Sequence, residues 1–191
     1  LMKYTLEIQK RLLQVENGNL SPHEKALLLK EAIRIADEND DPQWAVEMRL
    51  DLIYELNLLS QAEEEIAVFS RILDDYENNK DLISENDILW KYKWICGAAF
   101  DVPEVSQSQI DAILEDFKIR TLRNGYSARA YYHLLFLHYN RMRQYDLAKE
   151  YADKMLSEKL DDMMCEACEL NLLLDYYLET GRFDEAYQRA Q

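Results

Sequence analysis

Glycine, proline and cysteine are scarce in this chain of 191 residues, which has four, three and three of them, respectively. So few glycines argue against phosphate-cradling loops, and so few prolines leave long stretches free to form helices. Three cysteines do not make a disulfide framework at this length. No apolar run reaches the length of about 18 residues that a membrane span needs, and the first residues do not form a secretory signal. These absences predict a helical protein of the reducing cytoplasm, with no membrane partner.

Basic residues are also few, because 22 Lys and Arg stand against 37 Asp and Glu, for a net charge of −15. Such a surface repels a nucleic-acid backbone, so DNA and RNA are not expected as partners. Acidic runs such as Glu63-Glu64-Glu65 are typical of solvated helix faces. Basic residues gather between Lys118 and Lys154, where eight of them accompany three acidic ones. This strip is either an ordinary solvated face or the wall of a groove for an acidic peptide.

Apolar residues at helical spacing are abundant and form ten runs separated by short polar gaps. Ser21, Pro22 and Glu24 predict a capping box at the start of the second helix, and Asn124-Gly125 predicts a left-handed cap after the sixth. The runs form five pairs, whose first helices are predicted to start near residues 3, 42, 86, 126 and 162. We therefore predict a single all-α domain over residues 1–191, a right-handed α-solenoid of about five antiparallel helix pairs.

The last helix pair has a characteristic spacing of small and aromatic residues. Gly181 occupies its turn, Phe183 follows two residues later and Ala186 three residues after that, with Tyr177 in the first helix. This pattern resembles the tetratricopeptide repeat, in which small residues let two antiparallel helices approach closely. The resemblance implies a scaffold whose concave surface is lined by the first helix of each pair and binds a protein or peptide.

Earlier pairs show the same pattern less completely. In the fourth pair, Tyr139, Tyr145 and Ala148 hold the tyrosine, aromatic and alanine positions, whereas Arg143 replaces the turn glycine. A weaker third copy has Tyr54 at the tyrosine position, with its turn and alanine displaced. The last two pairs therefore resemble the family well, and the rest resembles it in architecture only.

The register of the two tyrosines implies which side chains face the groove. On the seventh and ninth helices, the groove candidates are His133, Leu137, Asn140, Arg141, Asn171, Asp175 and Glu179. The family's clamp for carboxyl termini has an asparagine where this chain has Leu137, so that clamp is not expected. Aromatic side chains such as Trp90 and Trp94 either fill the core between repeats or supply contacts in the groove.

Cys165 and Cys168 have the C-x-x-C spacing of zinc and redox sites. A structural zinc needs four ligands, and the sequence contains no second pair of this kind. We interpret the two cysteines as small packing residues and expect no cofactor or catalytic site. They stay weak metal candidates, which residues beyond Gln191 could complete.

Three functions are compatible with the sequence. We predict a non-catalytic scaffold, in which Arg141 could meet an acidic partner. The alternatives are a ligand-sensing regulatory module of a larger bacterial protein, with its effector part outside this chain, and an enzyme or metal protein built around the cysteine pair. The chain stops ten residues into a repeat, so we expect it to be truncated at its C-terminus. An uncovered end helix also allows a homo-oligomer.

Overall fold

The computed structural model describes residues 3–191, which form ten α-helices and no strand, so the all-α prediction is confirmed. The helices are α1 (Lys3–Asn17), α2 (Pro22–Glu38), α3 (Pro42–Leu58), α4 (Ala62–Asn78), α5 (Glu85–Ala99), α6 (Gln107–Arg123), α7 (Arg129–Arg141), α8 (Tyr145–Ser157), α9 (Glu166–Glu179) and α10 (Phe183–Arg189). Consecutive helices pack from α1 to α5, from α6 to α8, and between α9 and α10. This packing is consistent with a helical repeat.

The chain forms two compact units, the first ending at Val102 and the second beginning at Pro103. The first unit has a core cluster drawn from α1, α2 and α3, which includes Ile8, Leu29, Met48 and Leu56. The second has a cluster drawn from α7 to α10, which includes Phe136, Met155, Tyr176 and Ala186. Each unit thus has apolar contacts of its own, and the single domain over residues 1–191 stays a prediction.

Five of the connections between helices share one geometry. A residue with positive φ follows the helix, and the next amide donates to the carbonyl five positions back, as in the Schellman motif. The residues with positive φ are Asp40, Ser60, Gly125, Arg143 and Gly181. The amide donates to the carbonyl from Asp41 to Ala36, from Gln61 to Leu56, from Tyr126 to Thr121, from Gln144 to Tyr139 and from Arg182 to Tyr177. The left-handed cap predicted after the sixth helix is therefore confirmed.

The second helix begins at the predicted capping box. The amide of Glu24 donates to Ser21 Oγ at 3.3 Å, and the amide of Ser21 donates to the Glu24 carboxylate at 2.8 Å. Pro22 lies in the first turn, where its missing N–H leaves no intrahelical bond unmade. The cap thus satisfies amides that the start of a helix leaves without a partner.

The ninth helix begins at Glu166, so the start predicted at about Asp162 was wrong by four residues. The segment before it is tied to the loop preceding α7, because the amide of Ser127 donates to the Asp161 carboxylate at 2.7 Å. Met163 is fully buried in the same segment. These tertiary contacts favour a packed loop over one more turn of helix.

Candidate functional site

Three turns within helix pairs give the chain a common register. Ser60, Arg143 and Gly181 are equivalent, because each has positive φ and each is followed two residues later by the first residue of a helix. Leu56 accepts the turn's hydrogen bond in the first case, as Tyr139 and Tyr177 do in the others. Leu56 is therefore their counterpart, and the placement of Tyr54 at the tyrosine position was wrong by two residues.

The corrected register places Tyr54 at a position predicted to face the groove. Tyr54 is equivalent to Leu137 of α7 and Asp175 of α9, each of which lies six residues before its turn residue. The Tyr54 side chain is 48% exposed, and its ring centroid lies 6.1 Å from that of Trp94 on α5. An aromatic contact between the exposed Tyr54 and the half-buried Trp94 thus joins α3 and α5.

Helix α3 exposes a narrow stripe of side chains and is otherwise largely buried between its neighbours. The stripe recurs at helical spacing and consists of Gln43, Glu47, Asp51, Tyr54 and Leu58. Lys91 and Trp94 of α5 lie beside its middle part. We use the name α3–α5 face for the surface formed by Glu47, Asp51, Tyr54, Lys91 and Trp94.

Lys91 lies among opposite charges at this face. Its Nζ atom is 4.5 Å from the ring centroid of Trp94, which places the ammonium over the π-system. Burial lowers the pKa of Lys91, and the carboxylates of Asp51 and Glu65 oppose that effect. The Lys91 ammonium therefore interacts with two carboxylates, Asp51 of α3 and Glu65 of α4.

The Asp51 carboxylate of the α3–α5 face is influenced by several neighbouring charges. Burial raises its pKa, Lys91 acts in the opposite direction, and the negative charges of Glu47 and Glu16 raise it further. Glu16 lies at the end of α1, so charge from a second helix contributes to this effect. Negative charges from two helices, α1 and α3, therefore act on Asp51, while Lys91 supplies the positive charge.

Glu65 on α4 stands where two later helix pairs have a buried alanine. It follows its turn residue by five positions, as Ala148 and Ala186 follow theirs. Alanine lets the two helices of a pair approach closely at this point, whereas Glu65 carries a carboxylate into the same place. Its side chain is only 1% exposed, so the interpretation of residues 63–65 as a solvated face was wrong for Glu65.

The surroundings of Glu65 satisfy its carboxylate only in part. Burial raises its pKa, while a hydrogen bond from Asn57 and the charge of Lys91 act in the opposite direction. Its Oε2 atom is buried and makes no hydrogen bond within residues 3–191. A buried and partly satisfied carboxylate destabilises a fold, so packing does not explain this residue.

The groove candidates on α9 form one exposed stripe. Asn171, Asp175 and Glu179 recur every four residues, and all three are exposed. The Glu179 carboxylate accepts a hydrogen bond from the Tyr145 hydroxyl at 3.2 Å. The stripe thus offers polar and acidic groups to solvent.

The groove candidates on α7 differ in accessibility. Arg141 is exposed, whereas His133 and Leu137 are half-buried, and Leu137 packs against the core cluster of the second unit. Asn140 is 7% exposed, and its Oδ1 atom makes no hydrogen bond within the described residues. The binding role of the α7 and α9 candidates stays a prediction.

Ion pairs within the second unit neutralise much of the basic strip. Arg129 forms a buried bidentate pair with Glu169, with N···O distances of 2.9 and 2.6 Å. Lys149 and Lys154 each reach a carboxylate one helical turn away at 2.6 Å. These local pairs favour an ordinary charged surface over a groove wall for acidic peptides.

Cys165 caps α9, because its Sγ atom accepts from the amide of Cys168 at 3.4 Å. Cys168 is exposed, so the interpretation of both cysteines as packing residues was wrong for Cys168. Across residues 3–191, His, Cys, Asp and Glu side chains form no group of three or more that could hold a metal ion.

Comparison with family models, curated proteins and solved structures finds no match to this chain. Within the described part of the chain, no helix is both long and apolar enough to cross a bilayer. The geometry of the α3–α5 face is therefore the starting point for function. Tyr54 was not predicted as a groove residue because its register was misplaced, and the burial of Glu65 was not predicted because Glu65 stands within an acidic run. The buried alanines of the later copies were the signal that could have revealed Glu65.

Proposed function

We propose that this chain is a non-catalytic binding scaffold of the cytoplasm, a tetratricopeptide-like right-handed α-solenoid that holds a protein or peptide on the first helices of its pairs. The observation that supports this most is the contact between Tyr54 and Trp94 on the α3–α5 face. Tyrosine and tryptophan dominate the energetics of protein interfaces, because they bury large areas and lose little conformational entropy. Here Tyr54 lies on the exposed stripe of α3 and contacts the half-buried Trp94 of α5, with the charged groups of the α3–α5 face beside them.

The aromatic and the charged side chains of the α3–α5 face have different roles in this proposal. The two rings supply apolar contact area for a partner side chain, and Glu47, Asp51 and Lys91 supply charges that select its orientation. The rings and charges are carried by two helices, so little backbone entropy is lost when a partner binds. The concave-groove candidates on α7 and α9 extend the same mode of binding to the second unit.

Site-specific photo-crosslinking in cells tests this function. We expect benzoylphenylalanine at position 54 to crosslink the chain to a discrete partner protein. The same group at position 70, which is exposed on α4, serves as the control and should give no such product. Absence of a product at position 54, or identical products from both positions, would contradict the proposal.

A further inference from the structure

Negative charge is concentrated in the first compact unit. Up to Val102, the sequence has 11 basic and 21 acidic residues, a net charge of −10 out of −15 for the whole chain. The α3–α5 face repeats this imbalance locally, because Asp51 lies in the field of two negative charges, Glu47 and Glu16, and of one positive charge, Lys91. Like charges held close together on helices repel, and a bound cation would relieve that repulsion.

Glu65 provides a second and independent indication of a cationic ligand. This carboxylate is almost completely buried and interacts with Lys91, the same ammonium that faces Asp51. Its Oε2 atom lacks a hydrogen-bond partner within the described residues. The single ammonium of Lys91 is thus shared by the carboxylates of Asp51 and Glu65, and the chain keeps a costly glutamate where two later helix pairs have alanine.

The aromatic pair at the same place has a surface that suits a cation. Lys91 Nζ already lies over the Trp94 ring at 4.5 Å, which shows that the local geometry accepts an ammonium against an aromatic face. The Tyr54 ring beside it is half exposed and lies next to Asp51 in the same stripe. An arginine or lysine gains from such a ring and from a neighbouring carboxylate together.

From these observations we infer that the α3–α5 face binds a basic peptide segment, with an arginine or lysine side chain of the partner seated on Tyr54 and paired with Asp51 and Glu47. This inference rests on the proposed function and specifies the chemistry of the partner. The sequence analysis predicted an acidic partner from Arg141, whereas the α3–α5 face calls for a basic one.

Selection from a library of random twelve-residue peptides displayed on phage, with the full chain as bait, tests the inference. We expect the selected peptides to be enriched in arginine and lysine. The dissociation constant of a synthetic fluorescein-labelled winner, measured by fluorescence polarisation, should rise about tenfold or more for the Glu47→Gln, Asp51→Asn double variant. Replacing the basic residues of the selected peptide with glutamine should raise its dissociation constant for the unmodified chain by a similar factor.

A matched variant separates this site from general attraction to an acidic protein. Glu63→Gln with Asp74→Asn removes the same charge from exposed positions of α4 and should change the dissociation constant less than twofold. Equal losses in both double variants would overturn the inference. Acidic or uncharged winners that lose binding in Tyr54→Ala would overturn it and leave the proposed function intact. A selection that yields no binder sensitive to Tyr54→Ala would overturn both.

Discussion

Buried charged side chains in this protein have two kinds of surroundings. Arg49 of α3 donates hydrogen bonds to Asp37 of α2 and Asp75 of α4 and thereby links the three helices. Arg129 of α7 and Glu169 of α9 form a bidentate pair. These side chains satisfy one another. Glu65 has a weaker set of partners, and its removal should therefore have the opposite effect on stability.

Breaking the pair of Arg129 and Glu169 should destabilise the fold strongly. Arg129→Met leaves the Glu169 carboxylate buried without its cation, which costs about 3–5 kcal/mol in the free energy of unfolding. The double variant Arg129→Met, Glu169→Met should recover most of that loss, because no charge is then left buried. Urea unfolding followed by circular dichroism measures both.

Lys149→Met is the matched control, because it breaks an exposed pair with Asp153 on the same unit. Its unfolding midpoint should stay close to that of the unmodified chain. The single variant Glu169→Met completes the comparison with Arg129→Met. A double variant whose loss equals the sum of these two single losses would contradict the account, since the two side chains would then contribute independently.

Glu65→Gln should stabilise the chain at neutral pH. Burial raises the pKa of Glu65, so the folded state holds this proton up to a higher pH than the unfolded state does. The associated stability is fully present below the unfolded pKa and is lost as the pH rises through the folded pKa. Glutamine removes that loss, so the melting temperature of the variant should exceed that of the unmodified chain at pH 7.

The difference should shrink as the pH falls below about 4, where Glu65 becomes largely protonated in both states. Thermal melts across this pH range, with Glu63→Gln as an exposed control on the same helix, measure it. A melting temperature for Glu65→Gln that lies below the unmodified value at pH 7 would show that the carboxylate stabilises the fold.

At the scale of helices and turns, the left-handed positions respond to substitution in opposite directions. Arg143→Gly should raise the free energy of unfolding by about 0.5–1 kcal/mol, because a non-glycine residue is strained at positive φ. Gly181→Ala should lower it by about 1 kcal/mol for the same reason. A Cβ atom at Gly181 would meet nothing within 4 Å, so the loss would come from the backbone alone.

Gly97→Ala separates backbone strain from steric space. Gly97 lies within α5, and a Cβ atom there would also meet nothing within 4 Å. Because its backbone is helical, alanine should stabilise it by up to about 1 kcal/mol. Urea titrations of Arg143→Gly, Gly181→Ala and Gly97→Ala compare their free energies of unfolding. A loss of stability in Gly97→Ala would mean that steric space, rather than the backbone angle φ, determines the effect of a side chain at these positions.

Local signals predicted helix boundaries well wherever the controlling atoms are neighbours in sequence. The capping box at Ser21 and the left-handed Gly125 are of this kind. The start of α9 was missed because a distant residue decides it, since Ser127 binds Asp161 from 34 positions away. The register of Tyr54 was missed because Ser60 adopts positive φ without being a glycine.

For the molecule as a whole, composition and periodicity predicted an all-α chain of paired helices, and the structure confirms this much. The candidate site was only partly accessible to the same reasoning. The register predicted for the groove can be carried to α3 once the turns are aligned. The burial of Glu65 and the convergence of Asp51, Glu65 and Lys91, by contrast, arise from three different helices. Such convergence has no signature in the spacing of a single segment.

The most direct test of the α3–α5 face is a map of amide and indole chemical shifts in the full chain, titrated with a selected basic peptide. The largest changes are predicted at Glu47, Asp51 and Tyr54 of α3, at Lys91, and at the indole N–H of Trp94. Changes centred instead on the α7 and α9 groove candidates, with the α3–α5 face unaffected, would contradict the central claim.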